Sequence, residues 1–493
     1  VMARGWSFTL DLDKRAGTSK LPIFIQIARA VSDDVRRGRL TSGDELPGSR
    51  KLAQTLGVHR NTVLAAYREL AAEGWVTFEE ARGTFVSAEL PEPPPKNAVR
   101  AKKNSAGALG FDLPPWAMES APLPPPPGVL SLYGGVPDVR LAPLAPLARA
   151  FRRALRHQGR GLLGYGDPRG PWRLRAAIAQ MLSATRAIAA SEDDVMVTRG
   201  SQMGLDLMAR TLVRPGSVVA VEALGYRPAW RALRAAGARL VPISLDEHGM
   251  RIDALADLAA KEKIALVYVT PHHQYPTTVV LSASRRLELL ALAAKRRFCI
   301  VEDDYDHEFH YSGRPVLPLA SADANAVVAY LGTLSKVLAP GLRIGYVVAH
   351  ATLLDRLARC RIDVDRQGDL PLEIAVAEML EDGEVQRHTR RARRIYLERR
   401  DVLAQALEKK LSGVIEFDLP AGGTSLWARI DASVDVEAWH ARALTAKVAF
   451  QTARAFTFDG RAKPFARFGF AQLEPREIET AVDRLARALV SKR

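Results

Sequence analysis

One lysine stands in a setting that suits covalent chemistry. Lys336 lies in the stretch GTLSKVLAPGLRIGY, residues 332–346, among small and apolar side chains. A desolvated lysine loses part of its proton affinity, and its neutral amine can form a Schiff base with a carbonyl group. Arg343 follows seven residues later and suits a phosphate group. A lysine exposed on the surface is the alternative, but the apolar and glycine-rich flanks favour a buried one.

A group of carboxylates follows an apolar run. The residues FCIV, 298–301, lead directly into EDDYDHEF, which contains Asp303. The run predicts a buried strand, and open α/β sheets bind ligands at the carboxyl ends of their strands. The carboxylates also raise the alternative of a metal site, but the sequence lacks the glycine turn of a calcium loop. We therefore expect no bound metal.

Two further segments place polar residues after strands. In VTRGSQMGLDL, residues 197–207, Gly200, Ser201 and Gln202 open a predicted helix. Small residues at a helix N-terminus expose backbone N–H groups and form a cradle for a phosphate, although a simple strand-to-helix turn has the same pattern. In YVTPHHQYPTT, residues 268–278, a strand runs into a polar loop. Both segments bring polar side chains to strand ends.

These segments need a sheet to position them, and the chain from residue 129 onward predicts one. Helical stretches such as 203–212 and 285–294 alternate with short apolar runs, at 195–198, 218–221, 265–270, 298–301, 327–331 and 345–349. Buried strands joined by crossover helices form largely parallel sheets. The pattern is helix-rich from about residue 351 and mixed after residue 413. We predict a large α/β domain and a smaller C-terminal α+β domain.

Length and composition fit this organisation. The 493 residues indicate about two to four domains, and 47% hydrophobic with 25% charged residues are ordinary values for a globular protein. Two cysteines argue against disulfides and Cys-rich metal sites, and fit a reducing cytoplasm. Because no apolar run is long enough for a membrane helix and none precedes Asp11, we expect neither a membrane anchor nor a secretory signal.

The first 90 residues predict a separate small domain. Helical patterns at 21–38, 50–56 and 60–73 precede two short strands, 75–78 and 84–86, and Ser49 is predicted to cap the second helix. Helix, turn, helix and hairpin are the elements of a winged helix-turn-helix. The residue types at the start of the third helix and in the hairpin can reach bases or phosphates. We predict DNA contacts from Arg50, Arg60, Asn61, Thr62, Arg82 and Gly83.

Charge does not decide the role of this domain. The whole chain carries a formal net charge of +15, but residues 1–90 contain 13 basic and 11 acidic residues. A helical bundle with a solvated basic face is therefore the alternative to DNA binding. The DNA-binding prediction depends on the motif rather than on the excess of positive charge.

The motifs resemble two known families. The string LPGSRKLAQTLGVHRNTVLAAYRELAAEGW, followed by RGTFV, closely resembles the DNA-binding domain of GntR-type regulators, with His59 where serine is common. The glycine loop, the PT loop, the aspartate at a strand end and the lysine with an arginine downstream resemble, in that order, the fold-type-I pyridoxal-phosphate aminotransferases. The whole chain, apart from its linker, resembles the MocR family of transcriptional regulators, which joins these two domains.

Composition and motifs predict the domain plan: a winged helix domain at 1–90, a Pro-rich linker at 91–128, a large domain at 129–350, and a helical connection with a small domain at 351–493. The Pro repeats favour an extended linker, and a Pro-rich peptide ligand for another domain is the alternative. The resemblance implies roles around the cofactor ring. Lys336 would hold pyridoxal 5'-phosphate as an internal aldimine. Asp303 would keep the ring nitrogen protonated, Tyr305 would hydrogen-bond the ring hydroxyl, and Tyr226 would stack on the ring.

The resemblance also implies contacts with charged groups. Arg467, in the segment FARFGFA, would bind an effector carboxylate, because a guanidinium group binds it bidentately. Tyr165, in LLGYGDPRG, would reach the phosphate in a partner subunit. The phosphate in the same subunit would be bound by Ser201, Gln202, Ser335 and Arg343.

These roles predict a homodimeric, cytoplasmic transcription factor that binds double-stranded operator DNA. A small amine or amino acid would be sensed through aldimine exchange at Lys336. Two alternatives stay open: a sensor of pyridoxal phosphate itself that controls vitamin B6 metabolism, and an active aminotransferase with an accessory DNA-binding domain. Thr278 stands where the family has the glycine of its PTG motif, and Tyr275 stands where aminotransferases usually have Asn. We therefore expect sensing rather than catalysis, with at most residual transaminase activity.

Overall fold

The computed structural model describes residues 21–79, 82–91, 112–113, 125–313 and 316–489. The chain divides into two compact units, Val1–Trp116 and Ala117–Arg493. Most of the Pro-rich stretch 91–128 lies outside the described residues. Within the part of the chain that the structure describes, no helix has the length and hydropathy needed to span a membrane.

In its described residues, the first unit contains three helices and a hairpin. These are α1 (Ile23–Arg36), α2 (Ser49–Leu56), α3 (Arg60–Ala72), β1 (Val76–Glu79) and β2 (Gly83–Val86), with the two strands antiparallel. Ile27, Val63 and Tyr67 are fully buried in their shared core. Gly57 ends α2 at a φ of 60° in the left-handed region, where glycine has no steric cost. The winged helix-turn-helix elements predicted from sequence are all present.

The predicted cap of α2 is wrong in detail. Gly48 is the N-cap residue, and Ser49 lies inside the first turn without a capping hydrogen bond. The Ser49 hydroxyl instead accepts a hydrogen bond of 3.3 Å from Nε of Arg60. The side-chain cap of this motif belongs to α3, where Nδ1 of His59 accepts from the backbone N–H of Asn61.

The second unit is built on a seven-stranded sheet in the order β4-β12-β11-β10-β9-β5-β6. Its strands are β4 (Val195–Thr198), β5 (Val218–Glu222), β6 (Arg239–Ile243), β9 (Ile264–Val269), β10 (Cys299–Asp304), β11 (Val328–Thr333) and β12 (Gly345–Val348). β12 runs antiparallel to β4 and β11, and the other pairs are parallel. Six of the seven strands match the apolar runs predicted from sequence.

Helices cover both faces of this sheet. Alternate residues of β5 show the two layers, because Val219 and Val221 pack against α6 and α7, whereas Val218 and Ala220 pack against α8 and α9. The helices are α4 (Leu144–Gln158), α5 (Trp172–Arg186), α6 (Gly200–Leu212), α7 (Arg227–Ala235), α8 (Ile252–Lys261) and α9 (Ala283–Arg296). Two short pairing strands, β7 (Leu245–Asp246) and β8 (Gly249–Met250), precede α8.

The C-terminal part forms the predicted α+β domain. Helices α10 (Ala351–Val364), α11 (Leu370–Glu381) and α12 (Glu384–Lys410) lead into it, and α13 (Val436–Thr445) and α14 (Pro475–Leu489) cover its sheet. That sheet has the order β13-β14-β17-β16. Its strands are β13 (Ile415–Phe417), β14 (Ser425–Ile430), β16 (Gln451–Thr452) and β17 (Phe465–Gly469). β3 (Leu130–Ser131) pairs in parallel with β15 (Val448–Ala449), so the first described residues after the linker also pack here.

Candidate functional site

A cavity of about 180 Å³ lies at the carboxyl edge of the large sheet. Ligands bind at this edge in open α/β sheets because loops after neighbouring strands converge there. Eight of the residues predicted from sequence line this one cavity: Ser201, Gln202, Tyr226, Asp303, Tyr305, Ser335, Lys336 and Arg343. The motifs that lie far apart in the sequence therefore form one site.

Lys336 is positioned by the turn that follows β11. Oγ1 of Thr333, the last residue of that strand, accepts a 3.1 Å hydrogen bond from the backbone N–H of Ser335. Burial lowers the pKa of Lys336, while the carboxylates of Asp306 and Asp303 oppose that shift. A lowered pKa increases the fraction of neutral amine, which is the form that attacks a carbonyl carbon.

Asp303 lies at the end of β10 and is held by the neighbouring strand. The hydroxyl of Tyr268, in β9, donates a 2.7 Å hydrogen bond to Oδ2 of Asp303. Burial raises the pKa of Asp303 to about 7, and the Tyr268 hydrogen bond opposes the shift. Oδ1 of Asp303 is buried and has no hydrogen-bond partner within the described ranges. This oxygen can accept from a ring N–H of a ligand in the cavity.

Two glycines shape the turn at the start of α6. Gly200 adopts a φ of 72°, in the left-handed region. Gly345, the first residue of β12, packs so closely on this turn that a Cβ there would lie 2.6 Å from the carbonyl carbon of Gly200. The turn precedes Ser201 at the helix N-terminus, where free backbone N–H groups favour an anion.

Arg343 lies beside the same turn. Its Nη2 donates a 3.1 Å hydrogen bond to the carbonyl oxygen of Arg199, and a Cβ at position 200 would lie 2.9 Å from that nitrogen. A guanidinium group and a helix N-terminus thus lie within one small volume. Together they form a site suited to a phosphate.

Arg467 lies behind the cavity wall, in β17. It is fully buried, and its guanidinium carbon is 4.1 Å from the centre of the Tyr275 ring. A Cβ at Gly134 would lie 2.7 Å from Nε of Arg467. Gly134 and Tyr275 both line the cavity, whereas Arg467 itself does not. Its Nε and Nη1 atoms have no hydrogen-bond partner among the described residues.

Tyr165 is the one predicted cofactor residue that lies away from the cavity. Its side chain is 82% exposed, and the guanidinium of Arg366 lies 4.2 Å from its ring centre. Its expected role toward a partner subunit stays a prediction.

Sequence reasoning missed several residues of the site. Gly134 lines the cavity but lies outside every motif that the sequence analysis used, and Tyr268 and Thr270 line it from the 268–278 segment without having been given a role. Tyr268 belongs to the apolar run of β9 and looks like an ordinary core residue. The departure at Thr278 has a visible consequence, because this residue adopts a φ of 65°, where glycine is favoured.

The predicted DNA-binding residues lie on the surface of the first unit. Arg50, Arg60 and Asn61 are exposed, and Thr62 is half-buried. Arg82 is exposed next to Gly83, and its Nη1 lies 2.6 Å from Oε2 of Glu79. The first turns of α2 and α3 therefore present cations and amides that can contact a groove.

The second unit fits pyridoxal phosphate. The unpartnered Oδ1 of Asp303 matches a protonated ring nitrogen, and the buried hydroxyl of Tyr305, also unpartnered in the described part of the chain, matches the ring hydroxyl. Lys336 and the turn at Ser201 line the same cavity, so an amine and an anion cradle are available together.

Family models match both units. Residues 133–485 match "Aminotransferase class I and II", and residues 25–86 match "Bacterial regulatory proteins, gntR family". The chain is 31% identical to "Probable rhizopine catabolism regulatory protein MocR" of Rhizobium meliloti over 486 residues. The alignment covers 98% of this chain and 96% of the relative. The chain belongs to the MocR family of transcriptional regulators.

Further comparisons agree with this membership. The MocR-family chain is 32% identical over 480 residues to the HTH-type transcriptional regulator TauR of Rhodobacter capsulatus, covering 94% of this chain and 96% of TauR. It is 32% identical over 367 residues to the 2-aminoadipate transaminase of Thermus thermophilus, covering 74% of this chain and 90% of that enzyme.

Solved structures support the cofactor. The second unit is similar to the structure of LysN, the alpha-aminoadipate aminotransferase of Thermus thermophilus, solved in complex with N-(5'-phosphopyridoxyl)-L-leucine. The TM-score is 0.68 and the sequence identity 31%, and the match covers 74% of this chain and 92% of LysN. The predicted fold, a fold-type-I transferase domain preceded by a GntR-type winged helix, is confirmed. These neighbours support pyridoxal 5'-phosphate as the cofactor of the second unit, in a regulator whose first unit binds DNA.

Proposed function

We propose that this regulator senses a small amino acid at the cavity that contains Lys336. The observation that carries the proposal is Arg467, a fully buried guanidinium with two unpartnered nitrogens within the described residues, behind a wall formed by Gly134 and Tyr275. Buried arginine is normally hydrogen-bonded, because an unsatisfied buried charge is costly. A carboxylate that reached these nitrogens would satisfy them bidentately.

The cavity residues predicted from sequence then have defined tasks. When bound, pyridoxal phosphate supplies an aldehyde carbon that links covalently to primary amines. The lowered pKa of Lys336 keeps its amine available for that carbon. Asp303 would accept from the ring nitrogen, Tyr305 would contact the ring hydroxyl, and Tyr226 would pack on the ring. The anion cradle consists of Ser201, Gln202, Ser335 and Arg343.

We infer that the active form is a homodimer that acts in the cytoplasm on operator DNA. Two copies would place two winged helix domains on two half-sites, and Tyr165 would extend toward the partner's phosphate. Arg60, Asn61 and Thr62 would enter the major groove from the start of α3, with Arg50, Arg82 and Gly83 at the backbone. The effector would change the balance between two arrangements of the dimer and so change DNA affinity.

The test compares acids with amines on the full-length protein loaded with cofactor. Amino acids and the matching decarboxylated amines are titrated while the absorption of the cofactor is followed. We expect one class of amino acids to bind, and Arg467→Met to weaken that binding at least about 10-fold, since each charge-assisted hydrogen bond contributes roughly 1.5–3 kcal/mol. Arg429→Met, an exposed arginine in the adjacent strand β14, is the matched control and should change nothing.

The other outcomes identify the alternatives. If decarboxylated amines bind as well as the acids and Arg467→Met has no effect, the carboxylate role of Arg467 is refuted. If cofactor alone changes operator affinity and no amino acid does, the protein senses pyridoxal phosphate itself. Multiple turnovers of an amino donor with a keto acid would indicate an active aminotransferase.

A further inference from the structure

Three histidines form a cluster outside the cofactor cavity. His272 and His273 follow β9, and His310 follows β10, the neighbouring parallel strand. One ring nitrogen from each of the three lies within 4.8 Å of the others. His272 and His273 are buried, with ring centres 4.3 Å apart, and His310 is half-buried. None of the three lines the cavity that contains Lys336.

Two of these rings are oriented by partners at Nδ1. Nδ1 of His272 lies 3.1 Å from the carbonyl oxygen of Val316, and Nδ1 of His273 lies 2.8 Å from Oδ1 of Asp306. Both partners are acceptors, so each Nδ1 carries the proton and each Nε2 offers a lone pair. A histidine whose second nitrogen donates to a carboxylate or a backbone carbonyl has the usual arrangement of a metal ligand.

Ring nitrogens of two of the three histidines lack a close partner. Nε2 of His272 is buried without a hydrogen bond to any described residue, and neither ring nitrogen of His310 has a hydrogen-bond partner among these residues within 3.5 Å, although its ring faces the backbone of Ser312 and Gly313. A Cβ at Gly422 would lie 2.6 Å from Nε2 of His273, so glycine keeps the space beside that nitrogen free of side-chain atoms. Buried nitrogens without partners are costly and call for a ligand.

We propose that His272, His273 and His310 bind one divalent transition-metal ion, with Zn²⁺ as the best match. Imidazole nitrogen suits zinc and its neighbours, whereas Ca²⁺ and Mg²⁺ require oxygen ligands. Three protein ligands and a water complete a four-coordinate zinc site. Asp306 acts as a positioning residue through His273. The carboxylates at the end of β10 raised the alternative of a metal site, and the missing glycine turn of a calcium loop led us to expect none. The proposed site instead uses histidine nitrogens from the segments that follow β9 and β10.

The surroundings provide access and two carboxylates, Asp304 and Glu308, whose charge the buried Arg186 partly neutralises. Oδ2 of Asp304 lies 3.1 Å from Nδ1 of His307, whose ring centre is 4.5 Å from that of His272. A second cavity, of about 250 Å³, is lined by His310, His307 and Glu308 and gives an ion a route to the cluster. A bound ion would join the loop before Tyr275 to the segment after Tyr305, and both of these tyrosines line the cofactor cavity.

The test is metal binding by the full-length protein without an affinity tag. The protein is stripped with a chelator and titrated with Zn²⁺ by calorimetry and with Co²⁺ by visible absorption. We expect one ion per chain and the absorption of a four-coordinate cobalt site. His272→Gln and His310→Gln should each weaken binding about 100-fold or more, and Asp306→Asn about 10- to 100-fold. His248→Gln, an exposed histidine elsewhere, is the matched control.

Two results would overturn the proposal. The first is Zn²⁺ affinity that is unchanged in both cluster variants, which would indicate adventitious surface binding. The second is independent of any variant: X-ray absorption of the zinc-loaded wild-type protein should show scattering from imidazole rings, and a shell of oxygen ligands without imidazole would refute the site.

Discussion

The phosphate cradle can be tested by adding a single methyl group. In Gly345→Ala, the new Cβ would lie 2.6 Å from the carbonyl carbon of Gly200 and 2.8 Å from the backbone nitrogen of Ser201. Both atoms belong to the backbone, and Gly345 is itself fixed between Thr198 and Thr333 by the pairing of β12. The turn at the start of α6 must therefore move away from the strand.

The expected magnitude follows from what the turn provides. Overpacking a buried site costs about 1–3 kcal/mol of stability. Moving the turn also misplaces the backbone N–H groups before and at Ser201, and each charge-assisted hydrogen bond to a phosphate contributes roughly 1.5–3 kcal/mol. We expect the dissociation constant of pyridoxal phosphate to rise about 10- to 100-fold per lost hydrogen bond.

The assay separates a phosphate effect from general damage. Pyridoxal phosphate and pyridoxal, which lacks the phosphate, are titrated into apo protein and followed by absorption, with thermal unfolding measured in parallel. Gly345→Ala should weaken pyridoxal phosphate and leave pyridoxal nearly unchanged. Gly341→Ala is the control, because a Cβ there would meet no atom within 4 Å. Equal losses for both ligands would show that the phosphate does not bind at this turn.

Three further predictions concern a buried acid, the cofactor carboxylate and the DNA-binding domain. Burial raises the pKa of Glu222 from 4.5 to about 7. Ionising this buried carboxyl therefore lowers the stability of the folded protein progressively above pH 4.5, and the loss is complete above pH 7. The free energy of unfolding of Glu222→Gln, relative to that of the wild type, should therefore increase by up to about 3 kcal/mol from acidic to mildly alkaline pH. If denaturation shows the same difference between the two proteins at both pH values, this prediction is refuted. Tyr268→Phe removes the 2.7 Å hydrogen bond to Asp303, so the pKa of that carboxyl should rise further; an unchanged infrared titration of the protonated carboxyl would contradict it. Arg60→Ala should weaken operator binding by about 1–3 kcal/mol and relax sequence specificity. Arg37, an exposed arginine just after α1, is the control, and Arg37→Ala should leave operator binding unchanged. Equal losses of affinity for the two variants in a mobility-shift assay would exclude a base contact by Arg60.

The sequence predicts the strands of the large sheet well because most are central and buried on both faces. β4 and β5 contain only buried residues, so each gives a continuous apolar run. β6 was missed because Arg239 and Pro242 are exposed at its edge of the sheet, whereas β4, at the opposite edge, is buried throughout and keeps its apolar run. An edge strand can carry charge and proline, so its pattern does not differ from that of a loop.

The site was predictable where a motif is local and unpredictable where it depends on register. Lys336 and Arg343 belong to one short segment, so sequence alone brings them together. Tyr268 reaches Asp303 only because β9 and β10 are parallel neighbours with a particular register. The same pairing brings His272 and His273 to His310, and no pattern within either segment contains that information.

The two nitrogens of Arg467 that have no partner among the described residues, Nε and Nη1, connect the proposed amino-acid binding with stability. Leaving a buried donor unsatisfied costs about 1–3 kcal/mol, and more when the group is charged. Burial lowers the pKa of Lys336, and Asp306 and Asp303 oppose that shift. A carboxylate that entered would remove the cost at Arg467, and the folded state would be stabilised in proportion to ligand concentration by mass action. An amine without an acid group would leave that cost in place. If the proposed function is right, an amino acid should therefore raise the unfolding temperature more than the matching decarboxylated amine does at equal saturation of the cofactor.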